Sequence, residues 1–158
     1  MKFAKKGSGA VTVTHAEALQ AALCYGWIDG QGAKFDERHW LVRFTPRGPR
    51  SKWSQINRQS ASELIAGGRM RPAGLAAVAA AKHDGRWADA YEPQSRASVP
   101  ADFQRALDEH PDAKEFFGTL TGVRRYAFLY RLHHTGPGKR AERIAGYIEL
   151  LSERKTLN

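Results

Sequence analysis

The sequence predicts an α+β fold: a small antiparallel-rich sheet with packed helices, followed by a helical C-terminal part. Three observations carry that class. Residues 39–44 alternate, with Trp40, Val42 and Phe44 on one face and Leu41 and Arg43 on the other, the period of a strand. Thr14-His15-Ala16-Glu17 is a capping box, with the acid three residues after the threonine, and it opens a helix. From Ala101 onward the apolar spacing is helical throughout.

Taken in order, Val11–Thr14 alternates valine and threonine and reads as a short strand. The helix opened by Thr14 runs to about Cys24, burying Ala18, Leu19, Ala22 and Leu23, and Gly26 ends it. Trp27-Ile28-Asp29 is β-prone, and Gly30-Gln31-Gly32 reads as the turn after it. Pro46 stops the strand at 39–44, because proline has no N–H for the ladder.

Ser51 or Lys52 opens the next helix, with Trp53, Ile56, Ser60 and Leu64 on one side and Gly67-Gly68 at its end. Pro72 opens an alanine-rich helix to His83, with Leu75 and Val78 inward, and Gly85 ends it. In the C-terminal part, Phe103, Ala106 and Leu107 form one stripe. Pro111 takes a first helical position ahead of Phe116 and Phe117. Val123, Tyr126, Ala127 and Tyr130 form a further stripe. Thr135-Gly136-Pro137-Gly138 is a break before Ile144, Tyr147, Ile148 and Leu151. Residues 1–85 are therefore read as a sheet-and-helix unit and 86–100, with Pro93 and Pro100, as a linker or long loop. Residues 101–158 are read as a helical subdomain or as the completion of the same core.

The chain of 158 residues carries a formal charge of +9. Eight basic residues face one acid, Glu63, between Arg38 and Arg71, a net +7, so one short segment holds most of the excess. That balance favours anionic partners, either an anionic small molecule or nucleic acid. The alternative is a solvated face. No apolar run approaches the roughly 18 residues that cross a bilayer. The single cysteine, Cys24, has no internal partner for a disulfide. Met1–Ala10 is basic without the apolar stretch of a signal peptide, so the expected location is the cytoplasm.

No phosphate loop, nucleophile elbow, HExxH or paired-cysteine site is present. The six histidines show no ligand spacing, and most read as surface or cap residues. No metal and no cofactor is expected. The most suggestive stretch runs strand, turn, helix: Arg43-Phe44-Thr45-Pro46-Arg47, then Trp53-Ser54-Gln55-Ile56-Asn57. Arginine forks beside the free N–H groups of a helix start make a cradle for phosphate or carboxylate. Ser54 and Asn57 add short polar groups, and Trp27 or Trp53 offers a ring for stacking. The competing reading makes both tryptophans core and pairs Arg43 with Asp29 across adjacent strands.

These residues resemble a known family. Ala22-Leu23-Cys24-Tyr25-Gly26-Trp27-Ile28-Asp29, Arg43-Phe44-Thr45-Pro46-Arg47 and Ser51-Lys52-Trp53-Ser54-Gln55-Ile56-Asn57 look like the bacterial YdeI/OmpD-associated, bacteriocin-protection-like family. So do Gly68-Arg69-Met70-Arg71-Pro72-Ala73-Gly74 and, more weakly, Pro111-Asp112-Ala113, Arg124-Arg125-Tyr126 and Lys139-Arg140-Ala141-Glu142-Arg143-Ile144. Leu132-His133-His134 and Lys139 stand where that family tends to have an Ala-Lys pair and threonine. The resemblance implies a stress-linked or envelope-associated protein with no reaction attached. It marks Trp27, Asp29, Arg43, Thr45, Arg47, Trp53, Ser54 and Asn57 as motif positions, taken here as the candidate ligand-binding set.

Four functions follow as expectations. The first is a binding protein with a phosphate-like anion pocket at Arg43, Arg47, Ser54 and Asn57. The second is a single-stranded nucleic-acid module using segment 38–71, where Trp40, Phe44 and Trp53 interleave with arginines. The third is an enzyme using Asp29 with Cys24 or a histidine. The fourth is a surface for a protein partner.

Overall fold

A computed structural model describes residues 1–157. Ten elements follow in order: β1 (Lys2–Ala4), α1 (His15–Cys24), β2 (Trp27–Lys34), β3 (His39–Pro46), α2 (Gln55–Ala66), α3 (Pro72–His83), α4 (Ala101–Asp108), α5 (Pro111–Thr119), α6 (Gly122–His133) and α7 (Pro137–Ser152). The α+β class holds, with a helical C-terminal part. The chain divides into two compact units, Met1–Ala90 and a second from Tyr91 onward.

In the first unit the sheet has order β1-β3-β2, and both pairings are antiparallel. The first strand differs from the expectation. Val11–Thr14 takes no strand, and Val11 is 97% exposed. Lys2–Ala4 supplies the strand instead, with Phe3 opposite Trp40 and buried. Alternation alone makes no strand. A partner must be in reach, and β3 meets residues 2–4 rather than 11–14.

Gly30-Gln31-Gly32 is likewise not the turn. β2 runs through it, with a register shift between Asp29 and Gly32, so the glycines serve an irregularity in the ladder. The hairpin turns at 35–38, where Asp36 Oδ1 accepts the backbone N–H groups of Arg38 and His39 at 2.8 and 2.6 Å. The capping box of α1 is present in both directions, and Gly26 leaves the helix at φ +74°.

Ser54, rather than Ser51 or Lys52, caps α2, and Asn57, Ala61 and Leu64 form its buried side. Ile56 is half exposed, one position off the stripe read from sequence. On α3 the buried residues are Gly74, Val78 and Ala81, whereas Leu75 faces outward. The reason is close helix approach. A Cβ on Gly74 would lie 2.3 Å from the Cys24 carbonyl oxygen, so α1 meets α3 on its small-residue side.

The second unit has one continuous core built from α4–α7. Ile144, Tyr147, Ile148 and Leu151 are buried as their spacing predicts. On α6 the buried residues are Phe128, Leu129 and Leu132, while Val123 is exposed and Tyr126 and Tyr130 are half-buried. The tyrosines carry hydroxyls that need partners, and Tyr126 donates its O–H to the Glu92 carbonyl at 2.7 Å. Residues 86–100 hold no helix, yet they are packed: Trp87 and Ala90 join the first core, and Ala97 and Val99 the second. Among the described residues no helix is long and apolar enough to cross a membrane.

Candidate functional site

Successive strand residues face opposite sides, so the sheet has two chemically different faces. Phe3, Trp40 and Phe44 lie on the side covered by α1, where their rings stand 5.6, 5.5 and 6.0 Å from the His15 ring. Asp29 is opposite Phe44 in register and shares that face. Its Oδ2 lies 3.2 Å from His15 Nε2. Thr14 positions this contact, because its cap sets His15 as the first residue of α1. The expected alternative pair of Asp29 with Arg43 is therefore not formed. Arg43 projects from the opposite face, is exposed, and has no hydrogen bond or ion pair among the described residues. Thr45 shares that outer face by alternation.

Arg47 lies past the end of β3. Its backbone N–H donates to the Gly26 carbonyl at 2.9 Å. Its guanidinium lies over the Trp53 ring, 3.5 Å from the centroid, and Nη1 donates to the Lys52 carbonyl at 3.0 Å. Trp53 is 2% exposed and packs edge-on against Trp87, so it is a core ring with no face for an incoming base. Ser54 is buried, and its Oγ accepts the Asn57 backbone N–H at 3.1 Å. One of the free N–H groups at the start of α2 is thus already satisfied from within.

The eight candidate residues fall into three local settings. Arg47, Trp53, Ser54 and Asn57 meet at the turn into α2. Arg43 and Thr45 stand on the outer sheet face. Trp27 and Asp29 belong to the inner side, where Trp27 is 41% exposed and lines an apolar groove of about 520 Å³ beside α1.

The basic segment is partly spent on the chain itself. Arg38 donates to the Ser8 carbonyl at 3.2 Å and Arg58 to the Trp87 carbonyl at 3.1 Å, as Arg47 does to Lys52. Burial lowers the Lys52 ammonium from its ordinary value. Cys24, the candidate nucleophile, is buried in the first core. In the second unit Arg140 grips Asp102 with Nε and Nη2, and its Nη1 donates to the Leu132 carbonyl at 2.7 Å. Burial pushes the Tyr126 hydroxyl up to about 12, which leaves it protonated at neutral pH.

Sequence reasoning passed over His15. Its signal was available: His15, Ala18 and Ala22 fall on one stripe of α1, directly after the capping threonine.

Two family models match the chain. Residues 1–77 match a Domain of unknown function (DUF8412), and residues 96–154 match Bacteriocin-protection, YdeI or OmpD-Associated. No curated protein and no solved structure matches it. The motif runs read from residues 22–74 thus fall under a different model from the C-terminal ones. Residues 96–154 match the model of the YdeI/OmpD-associated, bacteriocin-protection family that the motifs of the chain resemble.

Proposed function

We propose that the chain is a binding protein of the YdeI/OmpD-associated type, acting in stress or envelope protection from the cytoplasm, and that segment 38–71 takes a phosphate-like anionic ligand. The observation that carries the reading is Arg43. It is exposed on the sheet face turned away from α1 and has no partner among the described residues, while Arg38, Arg47 and Arg58 are each engaged on a carbonyl. An uncommitted guanidinium is a two-pronged donor for phosphate. Thr45 supplies a hydroxyl on the same face. Arg47, held flat on Trp53, adds a positive charge of fixed orientation at the end of the same strand.

A second reading, a single-stranded nucleic-acid surface, is favoured by a separate feature of that face. Lys2 lies on it by alternation, and its Nζ stands 5.3 Å from the ring of Phe35, which is 55% exposed. A cation beside an open ring suits a stacked base and its phosphate.

Calorimetric titration with pyrophosphate, adenosine 5′-phosphate and a short oligothymidylate, at low and moderate salt, separates the two. The ligand reading expects saturable binding of a small phosphate, weakened about tenfold in Arg43→Ala, the scale of one charge-assisted hydrogen bond. The nucleic-acid reading expects oligonucleotide binding that falls steeply with salt. Binding that is absent, or indifferent to Arg43→Ala, removes the anion site.

A further inference from the structure

We propose a second ligand site, in the second unit and independent of the reading of segment 38–71: the groove along α7 binds a small sugar phosphate, a phosphate monoester on a body that carries hydroxyl groups. The groove holds about 330 Å³ and is lined by Lys139, Glu142, Arg143, Gly146, Tyr147 and Leu150. That volume is at the lower end of the roughly 300–1,000 Å³ of small-molecule sites. The spacing is helical, since residues three and four apart share a face. Gly146 makes the room, because a Cβ built there meets no atom within 4 Å. Tyr147 makes a wall, 3% exposed and held edge-on against Phe128 at 4.9 Å and Phe103 at 6.2 Å.

The polar groups that line this groove are uncommitted. Lys139, Glu142 and Arg143 are exposed, and their side chains make no hydrogen bond or ion pair among the described residues. Arg140 of the same helix is by contrast bound to Asp102 and to the Leu132 carbonyl. Two cations one turn apart, Lys139 and Arg143, repel each other unless an anion sits with them. A phosphate takes the forked N–H groups of a guanidinium and the point charge of an ammonium together. The Tyr147 hydroxyl is buried and has no hydrogen-bond partner among the described residues, a state rare for buried polar atoms. A phosphate oxygen against that wall is the acceptor it lacks. Glu142 is a like charge to the phosphate, so the rest of the ligand must bring it donors, as sugar hydroxyls do. A bare phosphate leaves Glu142 unanswered.

The test is calorimetric titration of the full chain, wild type and Arg43→Ala, with ribose 5-phosphate, ribose, inorganic phosphate and O-phosphoethanolamine. Ribose 5-phosphate is expected to bind tightest, and equally in both chains. Arg143→Ala weakens it about tenfold and Tyr147→Phe about fivefold, the scales of a charge-assisted and a neutral hydrogen bond. Gly146→Leu enters open space on a helix and fills the groove. It weakens binding about tenfold or more, with an unfolding midpoint no lower than that of the wild type as the folding control. Glu142→Ala removes the advantage of ribose 5-phosphate over inorganic phosphate. No binding of ribose 5-phosphate, or binding that survives Gly146→Leu or Arg143→Ala, overturns the site. Binding that Arg43→Ala abolishes belongs to segment 38–71 and overturns the groove as well. Indifference to Tyr147→Phe overturns the hydroxyl contact, and O-phosphoethanolamine binding tighter than ribose 5-phosphate overturns the sugar body.

Discussion

The two units of this chain reach stability by different routes. The second packs aromatic rings edge to face in one cluster: Phe103 on Phe117 at 5.3 Å, Phe117 on Phe128 at 6.0 Å and Phe128 on Tyr147 at 4.9 Å. The first divides its buried residues between a helical cluster around Trp53 and a small sheet cluster around Phe3. It joins its parts by backbone approach at Gly74, by side-chain caps at Thr14 and Ser54, and by arginines on carbonyls. None of α4–α7 has a side-chain cap, and α5 and α7 begin on proline instead. A unit with one closed core has little apolar surface left to offer. A unit with a split core leaves Tyr25 and Trp27 in the open.

The sharpest way to break this contrast is Phe128→Ala. Phe128 is fully buried and touches two rings, so its truncation is expected to cost about 4 kcal/mol in denaturant unfolding. A loss under about 1 kcal/mol would mean that the second core collapses around the gap and is not the tight ring stack described.

Next in size is Gly74→Ala. Its methyl would press on the Cys24 carbonyl, a backbone group that yields only if α1 and α3 separate. An expected loss of about 2–3 kcal/mol measures how far the first unit depends on that approach. A neutral result would show that the two helices slide apart freely.

The smallest expected effect is Asp102→Asn in the second unit. The hydrogen bonds from the Arg140 guanidinium hold the Asp102 carboxyl below its ordinary value. The contribution is complete above the unfolded value of about 4 and is lost as pH falls through the lowered folded value. Partial exposure keeps it modest, so the expected cost at neutral pH is about 1 kcal/mol. Unfolding measured from pH 7 to pH 2 is expected to show a shallower acid decline in Asp102→Asn. Equal declines would mean that the pair adds nothing to stability.

The same contrast separates what could be read in advance from what could not. The second unit was legible in outline because α7 buries the stripe its spacing shows and Pro111 stands at a helix start, whereas Pro137, read as part of a break at 135–138, is the first residue of α7. Where α6 departed, the buried side ran through Phe128, Leu129 and Leu132 instead of Tyr126 and Tyr130. In the first unit the Thr14 box and the glycine stops were legible, while the stripes of α2 and α3 came out one residue off at Ile56 and Leu75. Of the candidate site, its residue types and its basic excess were visible. Its division into three settings was not, because faces of a sheet depend on which strands pair.

The sequence by itself determined the α+β class, the helix starts at Thr14, Pro72 and Pro111, and the inward stripe of α7. Each of these rests on contacts within about one helical turn, which residue order alone specifies. Only the tertiary structure decided that Lys2–Ala4 and not Val11–Thr14 completes the sheet, and that Asp29 meets His15 rather than Arg43. It also decided that Trp53 lies under Arg47 in the core. Most of these choices bring together residues far apart in the chain, and all of them balance burial and hydrogen-bond satisfaction against the entropy of ordering the chain.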